Sequence, residues 1–181
     1  QHCRGYIFEA GNVYRKFECL SLDHPTMGIA SIDWDGHNYH AWLWPDLPRR
    51  NYVHDESAQG TFVVRNSDNR GNDYLSDYVM VHFTLQTNST DDKIYVSGGF
   101  TNHLLLPQYQ MQRNAVTGNY ELTLLLKQGY YSYTYVQVGA DGYARNLSSE
   151  GNFYQTQNQY QALIYYRGPG ERTDRLVAVV E

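Results

Sequence analysis

The sequence is poor in cysteine and in charge. Its 181 residues include 2 Cys, and charged side chains make up only 18% of the total. It has no C-x-x-C pair, no G-x-S-x-G motif and no glycine-rich phosphate loop, so nothing indicates thiol redox chemistry, a serine hydrolase or a nucleotide-dependent enzyme. It lacks an apolar run of about 18 residues, so a membrane span is not expected. The net charge of −5 argues against nucleic-acid binding.

Tyrosine and uncharged polar residues are abundant instead. There are 18 Tyr, aromatic residues reach 15% and apolar residues 41%, which is enough for a folded core. The polarity comes mostly from Asn, Gln, Ser, Thr and Gly. This composition is typical of an exported β protein rather than of a cytosolic enzyme.

Strand patterns recur along the chain, whereas the 3.6-residue period of helices is almost absent. Alternation is strict over Tyr120–Lys127, and the Gln128-Gly129 dipeptide separates this segment from a second strand over 130–138. A two-residue turn here predicts a β-hairpin in which leucines face tyrosines, namely Leu126 with Tyr131, Leu124 with Tyr133 and Leu122 with Tyr135. We interpret these tyrosines as core residues.

Further strands are predicted over 78–86, 93–97, 143–147, 151–156, 160–167 and 175–180. Turn-forming clusters separate them. Many short strands at this spacing predict an all-β fold, an immunoglobulin-like β-sandwich.

The polar, turn-rich run over 66–73 predicts a boundary near residue 72. Residues 73–181 would form the sandwich. Residues 1–72 are too few for a second one, so we predict that they are the closing strands of a preceding immunoglobulin-like domain plus a connector. The first residues already have a strand pattern, and we expect the chain to begin within a larger protein.

The two cysteines, Cys3 and Cys19, flank a predicted hairpin whose turn contains Gly11 and Asn12. A three-residue loop would place Cys3 opposite Cys19 and permit a disulfide, whereas a two-residue turn would put them on opposite faces. Both arrangements are open. A catalytic thiol is not expected, because no histidine is placed to activate it.

Metal binding and hydrolysis have weak support. His37 and His40 form an H-x-x-H pair, but the Asp35-Gly36 turn between strands predicts that their side chains diverge, so no metal site is expected. Acidic residues such as Glu150 are scattered, and no pair stands out as the two carboxylates of a glycosidase. A hydrolase built on the sandwich stays a third hypothesis, beside a protein-binding module and a carbohydrate-binding module.

Six side chains are candidate contacts of a binding surface. Trp42 and Trp44 share one face of a predicted strand, where exposed rings can stack on a peptide or a sugar. Burial in a core or domain interface is the competing interpretation. The other four are aromatic or Arg residues near predicted turns: Tyr143, Tyr154, Tyr166 and Arg167.

Three segments resemble an early-set immunoglobulin-like module, the frame shared by glycogen-binding modules. They are 94–103 (IYVSGGFTNH), 126–133 (LKQGYYSY) and 141–143 (DGY). Where those modules carry an aromatic residue, a Lys and a Trp for sugar binding, this chain has His103, Thr134 and Tyr143. The resemblance implies an early-set sandwich, with α-glucan binding as the alternative function.

A second resemblance covers nearly the whole chain. Its segments are 10–17 (AGNVYRKF), 44–49 (WPDLPR), 118–121 (GNYE), 124–131 (LLLKQGYY), 150–156 (EGNFYQT) and 165–176 (YYRGPGERTDRL). They resemble the C-terminal half of the plug-protein family of the type IX secretion system of Bacteroidetes, and the last two are the most specific. Members are exported proteins of immunoglobulin-like domains that close the periplasmic mouth of the outer-membrane translocon.

This resemblance implies a non-enzymatic protein-binding module in the periplasm or at the outer membrane. It implies the translocon barrel as the partner and no cofactor. It assigns no functional residue, so the six contact residues rest on their side-chain chemistry alone.

Overall fold

The structure, a computed structural model, describes residues 9–52, 54–55, 58–69, 71–88 and 90–180. Within these residues the fold is all-β, as predicted, and the helical segments are single 3-10 turns such as Asp73–Leu75 and Ser148–Glu150. The strands are β1 (Arg15–Cys19), β2 (Ile29–Trp34), β3 (Tyr39–Leu43), β4 (Phe62–Val64), β5 (Tyr78–Leu85), β6 (Lys93–Ser97), β7 (Gln112–Arg113), β8 (Tyr120–Lys127), β9 (Gly129–Val138), β10 (Ala144–Asn146), β11 (Ala162–Tyr166) and β12 (Arg175–Val180).

Ten of these strands form the two sheets of a β-sandwich. In the first sheet, the long strand β9 pairs antiparallel with β1 and β4 along its first half and with β6 and β10 along its second half. The second sheet has the order β2-β3-β5-β8-β7. Its β3–β5 pair is parallel and its other pairs are antiparallel.

The core lies between the two sheets and is rich in aromatic rings. Tyr131, Tyr133 and Tyr135 share one face of β9, and all three are at most 3% exposed, which confirms their interpretation as core residues. The Phe17 ring of β1 stacks on Tyr131 at 5.1 Å and meets the edge of Phe83 from β5 at 5.8 Å. Each fully buried ring of this kind contributes roughly 1.5–3 kcal/mol through its apolar surface.

The predicted hairpin between β8 and β9 does not form. β8 pairs with β5 and β7, whereas β9 lies in the other sheet, so the chain crosses the sandwich at Gln128. The reason is tertiary: Gln128 is buried, its amide nitrogen donates to the Leu20 carbonyl at 3.2 Å, and its amide oxygen accepts from the Asp77 N–H at 3.0 Å. The leucine and tyrosine rows belong to opposite layers of one core.

The predicted boundary near residue 72 does not coincide with a break in the sandwich. Strands on its N-terminal side, β1 and β4, pair with β9, and β3 pairs with β5. Their inward side chains belong to the same core cluster as those of β5 and β9. The strands β1 to β4 therefore belong to the same sandwich as β5 to β10.

Two other local predictions come out differently. The segment 151–156 is not a strand; its Phe153 N–H donates to the Gly11 carbonyl at 2.9 Å and the chain turns there. Cys19 is buried, and burial raises the pKa of its thiol to about 12. Cys3 and the first arm of the predicted hairpin lie outside the described residues, so the disulfide stays a prediction.

The strands β11 and β12 form a separate two-stranded antiparallel sheet, which we call the C-terminal ribbon. Within the described part of the chain, no helix is long and apolar enough to cross a membrane.

Candidate binding face

The outer face of the second sheet carries exposed aromatic and apolar side chains. Side chains alternate along β3, so that Ala41 and Leu43 enter the core while Trp42 and Trp44 point outward, 43% and 64% exposed. Core burial is thus not the role of the two tryptophans. We call this surface the tryptophan face; its members are Trp42 and Trp44, Tyr78, Met80 and His82 of β5, and Thr123 and Leu125 of β8.

Strand register brings three of these side chains into one row. Trp42 pairs with His82 on the parallel neighbour β5, and His82 pairs with Thr123 on the antiparallel neighbour β8. The indole ring of Trp42 stacks on the His82 imidazole, with 3.7 Å between ring centroids and 9° between their planes. One side of the indole therefore lies against the His82 ring, while a large part of the indole remains exposed to a partner.

A chain of hydrogen bonds runs from this row to the β2–β3 turn. The His82 Nδ1 atom lies 2.9 Å from the Thr123 hydroxyl, and its Nε2 atom lies 2.7 Å from His40 Nδ1. The His40 Nε2 atom in turn lies 2.9 Å from the Asp35 carboxylate. With both imidazoles neutral, each donor has one acceptor: Thr123 donates to His82, His82 to His40, and His40 to Asp35.

The electrostatics of this chain keep His82 uncharged near neutral pH. Partial burial, and secondly the proximity of His40, lower the pKa of His82 to about 4. The pKa of Asp35 is held well below its usual range by the Asn38 backbone N–H, by His40 and by the His37 N–H. The Trp42 indole can stack on this neutral imidazole without the cost of desolvating a charge. The hydrogen bonds of His82 hold its ring in place, and so hold the Trp42 ring that stacks on it.

The six predicted contact residues do not lie on one element of the described structure. The three positions that correspond to sugar-binding residues, His103, Thr134 and Tyr143, do not lie on one element either. Tyr143 follows the Asp141-Gly142 turn before β10 and is 70% exposed, and Tyr154 lies in the turn after residue 150 and is 89% exposed. His103 lies in the turn after Gly99–Thr101, whereas Thr134 is on β9.

Tyr166 and Arg167 belong to the C-terminal ribbon. Arg167 forms a two-pronged ion pair with Asp174, at 2.8 and 3.1 Å, that closes the ribbon loop. The guanidinium of Arg175 lies 5.9 Å from the ring centre of Tyr166. Arg167 is therefore already engaged, whereas the Tyr166 ring, 49% exposed, keeps surface for a partner.

Two carboxylates, the partly buried Asp46 and the buried Glu150, are joined through Arg15 in an ion-pair network. Arg15 donates to Asp46 at 2.7 Å and to Glu150 at 3.0 Å. Asp46 also accepts hydrogen bonds from the Tyr133 and Tyr135 hydroxyls at 2.8 and 2.7 Å. The carboxylate oxygens of Asp46 and Glu150 already accept hydrogen bonds within the sandwich. The two carboxylates therefore stabilise the fold and do not form a hydrolytic cleft.

Sequence reasoning singled out Trp42 and Trp44 but not His82 as their support. The spacing of His37 and His40 is one that metal sites use, yet His37 lies in the Asp35–Asn38 turn. His40 instead bonds to His82, which is 42 residues away. Only the parallel pairing of β3 and β5 brings them together. No group of three or more His, Cys, Asp or Glu in the described ranges is placed to hold a metal ion.

The fold and this face define a class: an all-β sandwich with an exposed aromatic surface on one sheet. No family model matches the chain, and no curated protein matches it. The chain is similar to a hypothetical protein from Parabacteroides merdae with a known crystal structure, with 38% sequence identity and a TM-score of 0.88. The match covers 98% of this chain and 46% of that one, so the chain spans about half the length of its structural neighbour.

Proposed function

We propose that this chain is a non-enzymatic, exported protein-binding module that contacts the outer-membrane translocon barrel of a type IX secretion system from the periplasmic side. The observation that carries the proposal is the tryptophan face. Exposed Trp side chains held on a rigid sheet are the residues that most often dominate the affinity of a protein interface. A flat sheet face with apolar members such as Leu125, 55% exposed, is also typical of an interaction surface.

Two further facts support this reading. The segments that resemble the plug-protein family include parts of β1, β8 and β9, the residues after β3, and parts of the C-terminal ribbon. The structural neighbour comes from Parabacteroides, a member of the Bacteroidetes, the group in which that family occurs.

In the proposed complex the two tryptophans have different roles. Trp44 is the more exposed of the two, and its backbone N–H donates to the Gly28 carbonyl at 3.0 Å, which anchors the strand end beneath it. We expect its ring to insert into an apolar pocket of the barrel. Trp42, stacked on His82, would contact the partner next to this anchor. The hydrogen-bonded histidines would hold the Trp42 ring in position and would not transfer protons.

The test is affinity capture. The immobilised chain is exposed to detergent-solubilised outer membranes of a type IX-secreting bacterium, and bound proteins are identified by mass spectrometry. We expect specific recovery of the large translocon barrel, and the Trp44→Ala variant should weaken binding by about 2 kcal/mol, or roughly 30-fold in Kd.

Trp34→Ala is the matched control, because Trp34 is a 55% exposed tryptophan that packs against Tyr39 on the opposite side of the second sheet from Trp42. It should bind like the unchanged chain. Equal loss in both variants would place the contact elsewhere, and a folded chain that recovers no barrel would contradict the proposal.

The alternative function is binding of an α-glucan-like carbohydrate. The same face favours it, because it carries the exposed rings of Trp42 and Trp44 together with the Thr123 hydroxyl, whose oxygen can still accept a hydrogen bond, and sugars bind through ring stacking combined with such groups. Titration with soluble α-glucans at millimolar concentration should then quench tryptophan fluorescence, and Trp44→Ala should abolish the change. An unchanged spectrum would exclude this alternative.

A further inference from the structure

The C-terminal ribbon is apolar on both of its faces. Leu163 pairs with Val179 on one face, and Ile164 pairs with Ala178 on the other. The large side chains on both faces are about half exposed: Leu163 49%, Ile164 46%, Tyr165 58%, Leu176 49%, Val177 51%, Val179 49% and Val180 53%. In folded proteins, strands that are apolar on both faces are covered on both faces.

Within the described residues, β11 and β12 pair only with each other. An isolated two-stranded sheet is at best marginally stable in water, and a strand edge without a partner presents N–H and C=O groups to a further strand. Among the described residues, the ribbon therefore has no further strand at either edge, and about half of its large apolar side-chain surface is exposed.

The base of the ribbon lies beside the first described residues. The Asn158 amide donates to the Ala10 carbonyl at 2.7 Å, the Thr156 hydroxyl donates to the Gly11 carbonyl at 2.9 Å, and the Gly11 N–H donates to Asn152 at 3.0 Å. The first described residues and the segment that leads into β11 thus lie side by side at the base of the ribbon.

We propose that the C-terminal ribbon is a docking surface for a further strand-containing segment of the same polypeptide, of the kind that the Parabacteroides chain has in addition to the region matched here. That chain is more than twice as long as the matched region, and the match includes nearly all of the present chain. The segment supplies an apolar face to cover Leu163 and Val179 and a strand for an open edge of the ribbon. This inference does not depend on the proposed function.

The test compares hydrogen exchange in the present chain and in the full-length Parabacteroides protein under the same conditions. In the present chain, β11 and β12 amides should exchange within the earliest time points while β5 and β9 stay protected. In the longer protein, the equivalent ribbon amides should exchange about 100-fold more slowly or slower still. Equal rates in the two proteins, fast or slow, would overturn the proposal.

Substitutions separate this occupant from a second copy of the chain. In the longer protein, Asp at the position equivalent to Val179 should restore fast exchange of the ribbon. Asp at the position equivalent to Val116, a 94% exposed valine in the Asn114–Gly118 turn, should leave it protected. If light scattering finds the present chain as a dimer that Val179→Asp converts to a monomer, the ribbon pairs with another copy and the proposal is wrong.

Discussion

Arg15 connects three parts of the chain at the end of the core. Its guanidinium donates to Asp46 and Glu150, and also to the Leu47 carbonyl at 2.8 Å. Glu150 is 2% exposed, and burial raises the pKa of its carboxyl although Arg15 opposes this change. The network thereby attaches the Asp46 and Glu150 loops to β1.

Arg15→Ala should destabilise the protein by about 3–5 kcal/mol, because it removes the guanidinium that bonds to both Asp46 and the buried Glu150. Urea denaturation at pH 7 measures this loss. Arg167→Ala is the control: it removes an exposed ion pair with Asp174 and should cost at most about 1 kcal/mol. Equal losses in the two variants would contradict the bracing role of Arg15.

His82 should make stability depend on pH. Its pKa is about 4 in the folded protein and about 6.5 when unfolded, so the unfolded chain binds a proton first as pH falls. Its contribution is fully present above pH 6.5 and is lost between pH 6.5 and 4. Since His82 is only partly buried, we expect a loss of about 1 kcal/mol between pH 7 and 5.

Urea denaturation across this pH range tests the expectation. His82→Gln should flatten the pH dependence, whereas His37→Gln, at an exposed turn position, should not change it. A slope that survives in His82→Gln would assign the pH dependence to other groups.

At the scale of the elements, β9 depends on a glycine at its start. Gly129 pairs with Cys19 on β1 and with Val64 on β4. A Cβ atom at this position would lie 2.3 Å from the Val63 carbonyl oxygen, so the close approach of β4 to β9 requires glycine. The same dipeptide, Gln128-Gly129, suggested a tight hairpin turn from sequence, and here the glycine instead admits a neighbouring strand.

Gly129→Ala should therefore displace β4 from β9 and destabilise the protein by about 1–3 kcal/mol. Gly71→Ala, where an added Cβ would meet only the Asn69 side chain at 3.9 Å, should stay within about 0.5 kcal/mol of the unchanged chain. Thermal unfolding of both variants checks this. Comparable melting temperatures would mean that the β4–β9 contact yields without cost.

At the scale of the whole molecule, both sheets combine strands from either side of residue 72. A fragment of residues 73–181 lacks β1 to β4 and exposes the core faces of β5 and β9. It also loses Phe17, Ile29 and Leu43, all members of the core cluster. We expect it to show no cooperative unfolding transition and poor dispersion in NMR spectra, whereas the 181-residue chain should unfold cooperatively and give well-dispersed spectra. A sigmoidal melt of the fragment would restore residue 72 as a domain boundary.

The amino-acid sequence by itself determined several of the strands, such as β8 and β9, and which of their side chains are buried. The alternation over Tyr120–Lys127 and the tyrosines of β9 predicted both correctly, because the two-residue period of a strand is a local property of the chain. It also identified Trp42 and Trp44 as residues on one face.

The tertiary structure alone decided which strands pair. Backbone hydrogen-bonding groups are the same in every strand, so the partner of β9 is chosen by distant contacts such as those of Gln128 with Leu20 and Asp77. The fold also places β3 beside β5, and so lets His82 support Trp42. Pairing across 40 or more residues leaves no local pattern, and for that reason the support of the tryptophan face and the continuity of the sandwich across residue 72 emerged only from the folded chain.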